Sequence, residues 1–282
     1  MLLIKQLSLA FYNAALSQFS EKDFLAAGFS RDYFSSLLDI QFDKRFHVIA
    51  IEDGLQDIGA TPNKPCTYKF SFHNVKDFVS QASVLDGIST SAFQDGAPLL
   101  HIAELIANSQ AILTDDAMAQ AIQRQAAGVT ILGNPRGQVL SPNETTTLLA
   151  PFIISCPSSN MPLPLVASPR LTVTQKGPFK QNQLISFSVG NGTLPSSFFV
   201  MYISGDNTKS VFPTNVRNNT FKAPTGSNMA GQTYVFVSSI NTNAAGAFEQ
   251  SEAGILFGPT VIEMLPLSRN ATVFDSGFPN TP

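Results

Sequence analysis

Tryptophan is absent from this chain of 282 residues, cysteine occurs twice, and charged side chains make up only 13%. Each shortage excludes something. With so few ions, much of the surface must be Ser, Thr, Asn and Gln, and no Lys/Arg run exists to track a phosphate backbone. Residues 1–128 carry 14 acids and 9 bases, and residues 129–282 carry 6 acids and 8 bases. Neither half is basic enough for nucleic-acid binding. No stretch reaches the roughly 18 uninterrupted apolar residues of a membrane span. Two distant cysteines exclude a Cys-x-x-Cys site, and no Gly-x-Ser-x-Gly, phosphate-binding loop or dinucleotide fingerprint occurs.

The two cysteines, Cys66 and Cys156, lie beside prolines in loop-like sequence. They read either as independent buried thiols or as an oxidised pair. An even count, with Asn-x-Ser/Thr sequons at Asn143, Asn191, Asn218 and Asn270, favours a disulfide and N-linked glycans in a secreted, extracellular or cell-surface protein. The opening Met1-Leu2-Leu3-Ile4-Lys5 does not read as a signal peptide, because its apolar run breaks at Lys5. A secreted protein with this sequence would carry its leader outside it.

Phenylalanine is abundant at 23, and 44% of residues are hydrophobic, enough for two cores. The first half has helical periodicity. Residues 2–18 form one helix, and Ser20 with Asp23 resembles a capping box opening a short second one that Gly28 ends. A long helix spans 31–58 and stops at Gly59. Asn74 and Asp77 cap another that runs to about Gln94, and the last extends from about Leu100 to Gln125, with Gly128 as its stop. Gly87, in mid-helix, points to close packing of a neighbour. Residues 129–168 read as a Pro/Ser-rich connection too irregular for a core element. Seven strands follow within 169–266: Leu171–Thr174, Leu184–Val189, Phe198–Ile203, Ser210–Phe212, Thr220–Ala223, Thr233–Ile240 and Ile255–Glu263. Gly190-Asn191-Gly192 and Ser204-Gly205-Asp206 supply turns, and Tyr234 is a candidate tyrosine corner. The expected fold class is α+β: a four-helix bundle over 1–128, then an immunoglobulin-like β-sandwich over 169–266, with 267–282 a mobile tail.

Polar residues interrupt the apolar stripes of four helices. On the long helix, Leu37, Ile40, Lys44, His47, Ile51, Leu55 and Ile58 share one face. Lys5 and Ser8 intrude on the first helix, Asp86 (with Ser89) on the third long one, and Asp116 (followed by Ala119) on the last. A di-metal carboxylate bundle takes Glu from two helices and Glu-x-x-His from the other two. Here Lys44-x-x-His47 has an ammonium in place of a carboxylate, and Asp116-x-x-Ala119 lacks the imidazole. Only His47, Asp86 and Asp116 remain as inward ligands, too few for two metals. His73 and His101 read as surface residues.

Several stretches resemble the fungal secreted stress-response proteins built on a ferritin-like domain, relatives of plant desiccation-related proteins. They are Leu9–Tyr12, Pro65–Phe70, Phe78–Gly87, Ala111–Thr114 and, above all, Leu149–Asn160 with its Ser155-Cys156-Pro157-Ser158-Ser159-Asn160 block. The resemblance implies a ferritin-like bundle and a secretory route. It also implies Glu at the positions of Lys5, Ser8, Lys44 and Asp116, and His at that of Ala119. These departures argue against inherited metal binding.

Buried ions require partners. The expected arrangement is a network in which Lys5 and Lys44 neutralise Asp86 and Asp116 beside His47, with no cofactor. In one alternative Lys5 snorkels out of the bundle end and only Lys44 pairs. In another a single zinc sits on His47, Asp86 and Asp116. The functional expectation is therefore a non-catalytic secreted glycoprotein with structural, surface or stress-associated duties. A metal-dependent oxidoreductase, or a metal-free catalyst using Lys44 and His47, is the competing enzyme reading. A glycan-binding or self-associating module is the third.

Overall fold

Helices begin where side chains can satisfy free backbone N–H groups. In the computed structural model, which describes residues 1–133, 137–190, 192–205, 207–241 and 254–267, the first half contains α1 (Leu2–Gln18), α2 (Glu21–Ala26), α3 (Arg31–Asp57), α4 (Val75–Gly96) and α5 (Ala103–Ala126). Ser20 and Asp23 form the capping box of α2. Ser30 Oγ accepts from Tyr33 N at 3.1 Å to open α3. Asn74 Oδ1 accepts from Asp77 N at 2.9 Å to open α4. Gly59 follows α3 at φ +77, a left-handed conformation that ends the helix without a Cβ clash. Among the described residues, no helix is long and apolar enough to cross a membrane.

Helices α1, α3, α4 and α5 enclose a core rich in phenyl rings. Phe11 meets Tyr12, Phe70 and Phe72 edge-on, with centroids 5.9, 5.2 and 5.3 Å away. Each such ring, fully buried, contributes roughly 1.5–3 kcal/mol.

The connection is more ordered than its composition implies. It contains α6 (Pro142–Leu149), opened by a capping box between Ser141 and Glu144 with Pro142 in the first turn. Leu140 and Leu149 are buried in the bundle core. After α6, β2 (Ile153–Ser155) pairs with β1 (Thr67–Tyr68), and this short ribbon closes the disulfide Cys66–Cys156. The expectation of a core-free linker is therefore corrected.

The second half holds β3 (Thr172–Val173), β4 (Leu184–Ser188), β5 (Phe199–Ser204), β6 (Asn207–Val211), β7 (Thr214–Arg217), β8 (Thr220–Pro224), β9 (Gly231–Ser238) and β10 (Ile255–Met264). They make two four-stranded antiparallel sheets, ordered β3-β4-β8-β7 and β10-β9-β5-β6. Seven of these strands correspond to the expected ones. All four residues of β7 are exposed, so it shows no apolar alternation. Asn191, Asp206, Asn270 and the tail from residue 268 lie outside the described residues.

Alternation along β5 and β9 explains how the halves join. Val200, Tyr202, Val235 and Val237 face the core between the sheets. Met201, Ile203, Tyr234 and Phe236 face the other way and belong to the bundle core. A sheet buried on both faces needs a nearly continuous apolar sequence, and β9 has it. Tyr234 is therefore an interface residue, not a corner. Its hydroxyl donates to Gly87 O at 3.3 Å and shares a 3.0 Å hydrogen bond with Ser91 Oγ. A Cβ on Gly87 would stand 2.3 Å from Gln232 Oε1 and 2.8 Å from Gln120 Nε2, so the glycine admits a strand against α4 as well as α5. Arg124 Nη2 pairs with Glu263 Oε1 at 2.6 Å across the same boundary.

Candidate functional site at the bundle centre

Residues three, four or seven apart on a helix share a face. The bundle thereby brings together Lys5, Ser8 and Tyr12 from α1, Lys44 and His47 from α3, Asp86, Ser89 and Phe93 from α4, and Asp116 and Ala119 from α5. Lys5, Asp86 and Asp116 are fully buried, and Lys44 is 1% exposed.

Lys44 Nζ lies 2.9 Å from Asp86 Oδ1 and 2.9 Å from Asp116 Oδ1. Lys5 Nζ donates to Asp116 Oδ2 and sits 4.7 Å from the centroid of the Phe93 ring. Ser89 Oγ donates to the same Oδ2 at 2.8 Å, and Tyr12 OH donates to Asp86 Oδ2 at 2.5 Å. Two ammoniums and two carboxylates thus balance in a buried centre. Lys5 does not snorkel. Ser8 Oγ is buried without a hydrogen-bond partner among the described residues, and Ala119 forms part of the wall.

His47 stands at the edge of this network. Its Nε2 is 3.3 Å from Asp115 Oδ2, while Nδ1 is 3.9 Å from Asp116 Oδ1. It also borders a cavity of about 370 Å³ between α3 and α5, lined in part by Phe46, Asp53, Glu104 and Asp115. Asp115 and Tyr12 are the members that the stripe pattern does not single out. Tyr12 reads as a core aromatic, and Asp115 precedes the inward Asp116 by one residue.

The charges set the protonation states. Burial works against the Lys44 ammonium, but Asp116 and Asp86 outweigh it and hold its pKa above the ordinary lysine range. Burial pushes Lys5 down to about 8, with Lys44 adding to the effect against the pull of Asp116. Burial would raise Asp116, yet Lys44 and Lys5 hold its carboxyl well below the usual range. For His47, burial first and the Lys5 charge next lower the pKa to about 4, so the ring is neutral at pH 7.

Lowered imidazole basicity has a consequence for stability. Between pH 6.5 and about 4 the unfolded chain protonates this ring while the folded chain does not, so stability falls as pH falls. Lys5 and Lys44 repel the added proton, while Asp116 and Asp115 attract it. Allowing for water in the adjoining cavity, the loss is on the order of 2 kcal/mol. Urea midpoints across this window should drop in the wild type and much less in His47→Gln. Equal slopes would show that the histidine is not linked.

A di-metal carboxylate centre does not fit this donor set. An ammonium offers no lone pair, and both aspartates are engaged by lysines. The zinc alternative fares no better, because Lys44 stands between Asp86 and Asp116 and His47 turns Nε2 to Asp115. Among the described residues, no three His, Cys, Asp or Glu side chains group to hold a metal ion.

Four long helices converging polar side chains on one centre define a ferritin-like architecture. A family model described as "Ferritin-like domain" matches residues 2–129, so the N-terminal half is a ferritin-like domain. Among curated proteins, the chain is similar to "Protein rds1" of Schizosaccharomyces pombe (strain 972 / ATCC 24843), with 27% identity over 149 residues. That alignment covers 53% of this chain and 36% of the relative, so the match spans about a third of the relative's length.

Proposed function

We propose that the chain is a secreted glycoprotein whose ferritin-like domain is a metal-free scaffold with a structural, surface or stress-associated role. The observation that carries this reading is Lys44 Nζ, 2.9 Å from each of two carboxylates at the bundle centre. The protein supplies its own cation between the groups that would hold a metal. Secretion is supported by the Cys66–Cys156 disulfide, which suits an oxidising compartment. Among the described sequons, Asn218 is exposed in the turn between β7 and β8, well placed for a glycan. Asn143 is half-buried, and its Oδ1 accepts from Val166 N at 2.9 Å. The stress-associated role rests on the resemblance to fungal stress-response and plant desiccation-related proteins. We read the paired sheets as immunoglobulin-like, because their strand orders correspond to A-B-E-D and G-F-C-C′.

Lys44 is poorly suited to act as an amine nucleophile, since two carboxylates keep it charged and the site is closed. Elemental analysis of the purified full chain should find iron, manganese and zinc far below one equivalent, and glycosidase treatment should lower its mass. One bound metal per chain would overturn the scaffold reading.

Self-association is favoured as a second reading by one feature of α3. Leu38, Phe42, Phe46 and Ile49 form an exposed apolar stripe on its outer face. Light scattering should show a dimer or larger species that Phe42→Ser/Phe46→Ser disperses. A monomer at all concentrations excludes it.

A further inference from the structure

We propose that the Lys5–Asp116 pair matures into an intramolecular isopeptide bond, an amide between Lys5 Nζ and Asp116 Cγ that ties α1 covalently to α5. This step stands apart from the scaffold reading, since a metal-free bundle could keep the two residues as a simple ion pair.

The two oxygens of Asp116 have different company. Oδ2 receives Lys5 Nζ and the Ser89 hydroxyl, the latter at 2.8 Å. Oδ1 receives Lys44 Nζ at 2.9 Å. One oxygen thus lies beside the nucleophile and a proton-relaying hydroxyl, and the other is held by a fixed cation. This is the division of labour that acyl transfer to an amine requires. Both reacting side chains are fully buried, and Phe93 backs the lysine.

Burial also favours the chemistry. Passing a proton from the Lys5 ammonium to Asp116 Oδ2 converts a buried ion pair into a neutral amine and acid, which a low dielectric penalises less, against the pull of the Lys44 and Lys5 charges that favour the Asp116 carboxylate. The lowered basicity of Lys5 acts in the same direction. The amine lone pair then attacks Cγ, and the negative charge that develops on Oδ1 meets the Lys44 ammonium. Collapse breaks the Cγ–Oδ2 bond, and Oδ2 leaves as water. The ammonium begins with three hydrogens, of which one stays on the amide and two depart with the oxygen. An ammonium and a carboxylate give an amide and water, with no oxidant, reductant or activating co-reactant.

Holding the partners together replaces a bimolecular encounter, an advantage reaching about 10⁵–10⁸ M in effective concentration. Excluded water opposes the reverse hydrolysis. The product is electrostatically simpler. One buried cation, Lys44, remains beside one buried anion, Asp86, and the new carbonyl Oδ1 keeps its hydrogen bond from Lys44. Two of the four buried ions are removed, each of which would otherwise carry a desolvation penalty.

The test is the intact mass of the full chain, purified, reduced, deglycosylated and denatured. The expected mass is one water below that of the sequence. Tryptic mapping should recover a branched peptide containing Lys5 and Asp116, with no cleavage after Lys5. Asp116→Ala, analysed denatured so that its folding does not matter, should regain the full sequence mass and cleavage after Lys5. A wild-type chain at full mass, with Lys5 cleaved by trypsin and labelled by an amine reagent after denaturation, would overturn the proposal. So would a lost water that maps elsewhere, such as a succinimide. Neither outcome bears on metal content, so failure here is distinguishable from failure of the scaffold reading.

Discussion

Lys44→Met is expected to destabilise the fold by about 3–5 kcal/mol, the range found when one partner of a buried ion pair is removed. Methionine keeps an unbranched stem, so the loss is of charge far more than of volume. The ammonium now touches Asp86 Oδ1 and Asp116 Oδ1 at 2.9 Å each. Without it, among the described residues Asp86 retains only the Tyr12 hydroxyl, while Asp116 still has Lys5 and Ser89. The anion left exposed to a low dielectric is therefore Asp86. Adding Asp86→Asn to Lys44→Met removes that anion and should recover much of the loss, with a coupling energy of about 1–3 kcal/mol. Urea denaturation at pH 7 measures all four corners of this cycle. A single variant within about 1 kcal/mol of wild type would mean that the centre is more hydrated than its burial implies.

Loss of the disulfide is expected to be of similar size. Cys66 and Cys156 are 90 residues apart in sequence, and closing so long a loop removes about 4–5 kcal/mol of chain entropy from the unfolded state in the loop-closure treatment. The bridge also clamps the β1–β2 ribbon that follows α6, and α6 carries Leu149 into the bundle core. Cys66→Ser/Cys156→Ser, or dithiothreitol acting on the exposed Cys156 side of the bond, should lower the thermal midpoint substantially. Because α6 depends on the ribbon, hydrogen exchange should rise first at Thr145–Leu149. Reduction without a shift in midpoint would show that packing alone holds this connection.

Much of the helical half is legible in the sequence, since caps and apolar spacing are local signals. Ser20 and Asn74 open α2 and α4 as their residue types imply. The centre is legible because charged residues on an apolar stripe break its pattern, which is how Lys5, Lys44, Asp86 and Asp116 stand out. What such spacing does not resolve is direction within a face. His47 lies on the same stripe as Lys44, yet its Nε2 turns toward Asp115 at the edge. Tyr12 is equally hidden, because an aromatic ring on an apolar face looks like packing and only its hydroxyl reports the role.

Elsewhere, short and two-faced elements escape. Helix α6 has a capping box, Ser141 to Glu144, but is only 8 residues long and sits among prolines. Strands β5 and β9 read as sandwich core, and half of their side chains instead serve the bundle. A continuous apolar strand signals two buried faces without saying what covers the second.

The most direct test of the central claim is anomalous diffraction from crystals of the full chain grown with iron, manganese or zinc. No anomalous peak is expected between Lys44, Asp86 and Asp116, and density for the Lys44 side chain should reach Asp86 Oδ1 and Asp116 Oδ1. A peak within coordinating distance of those aspartates, with Lys44 swung away, would contradict it.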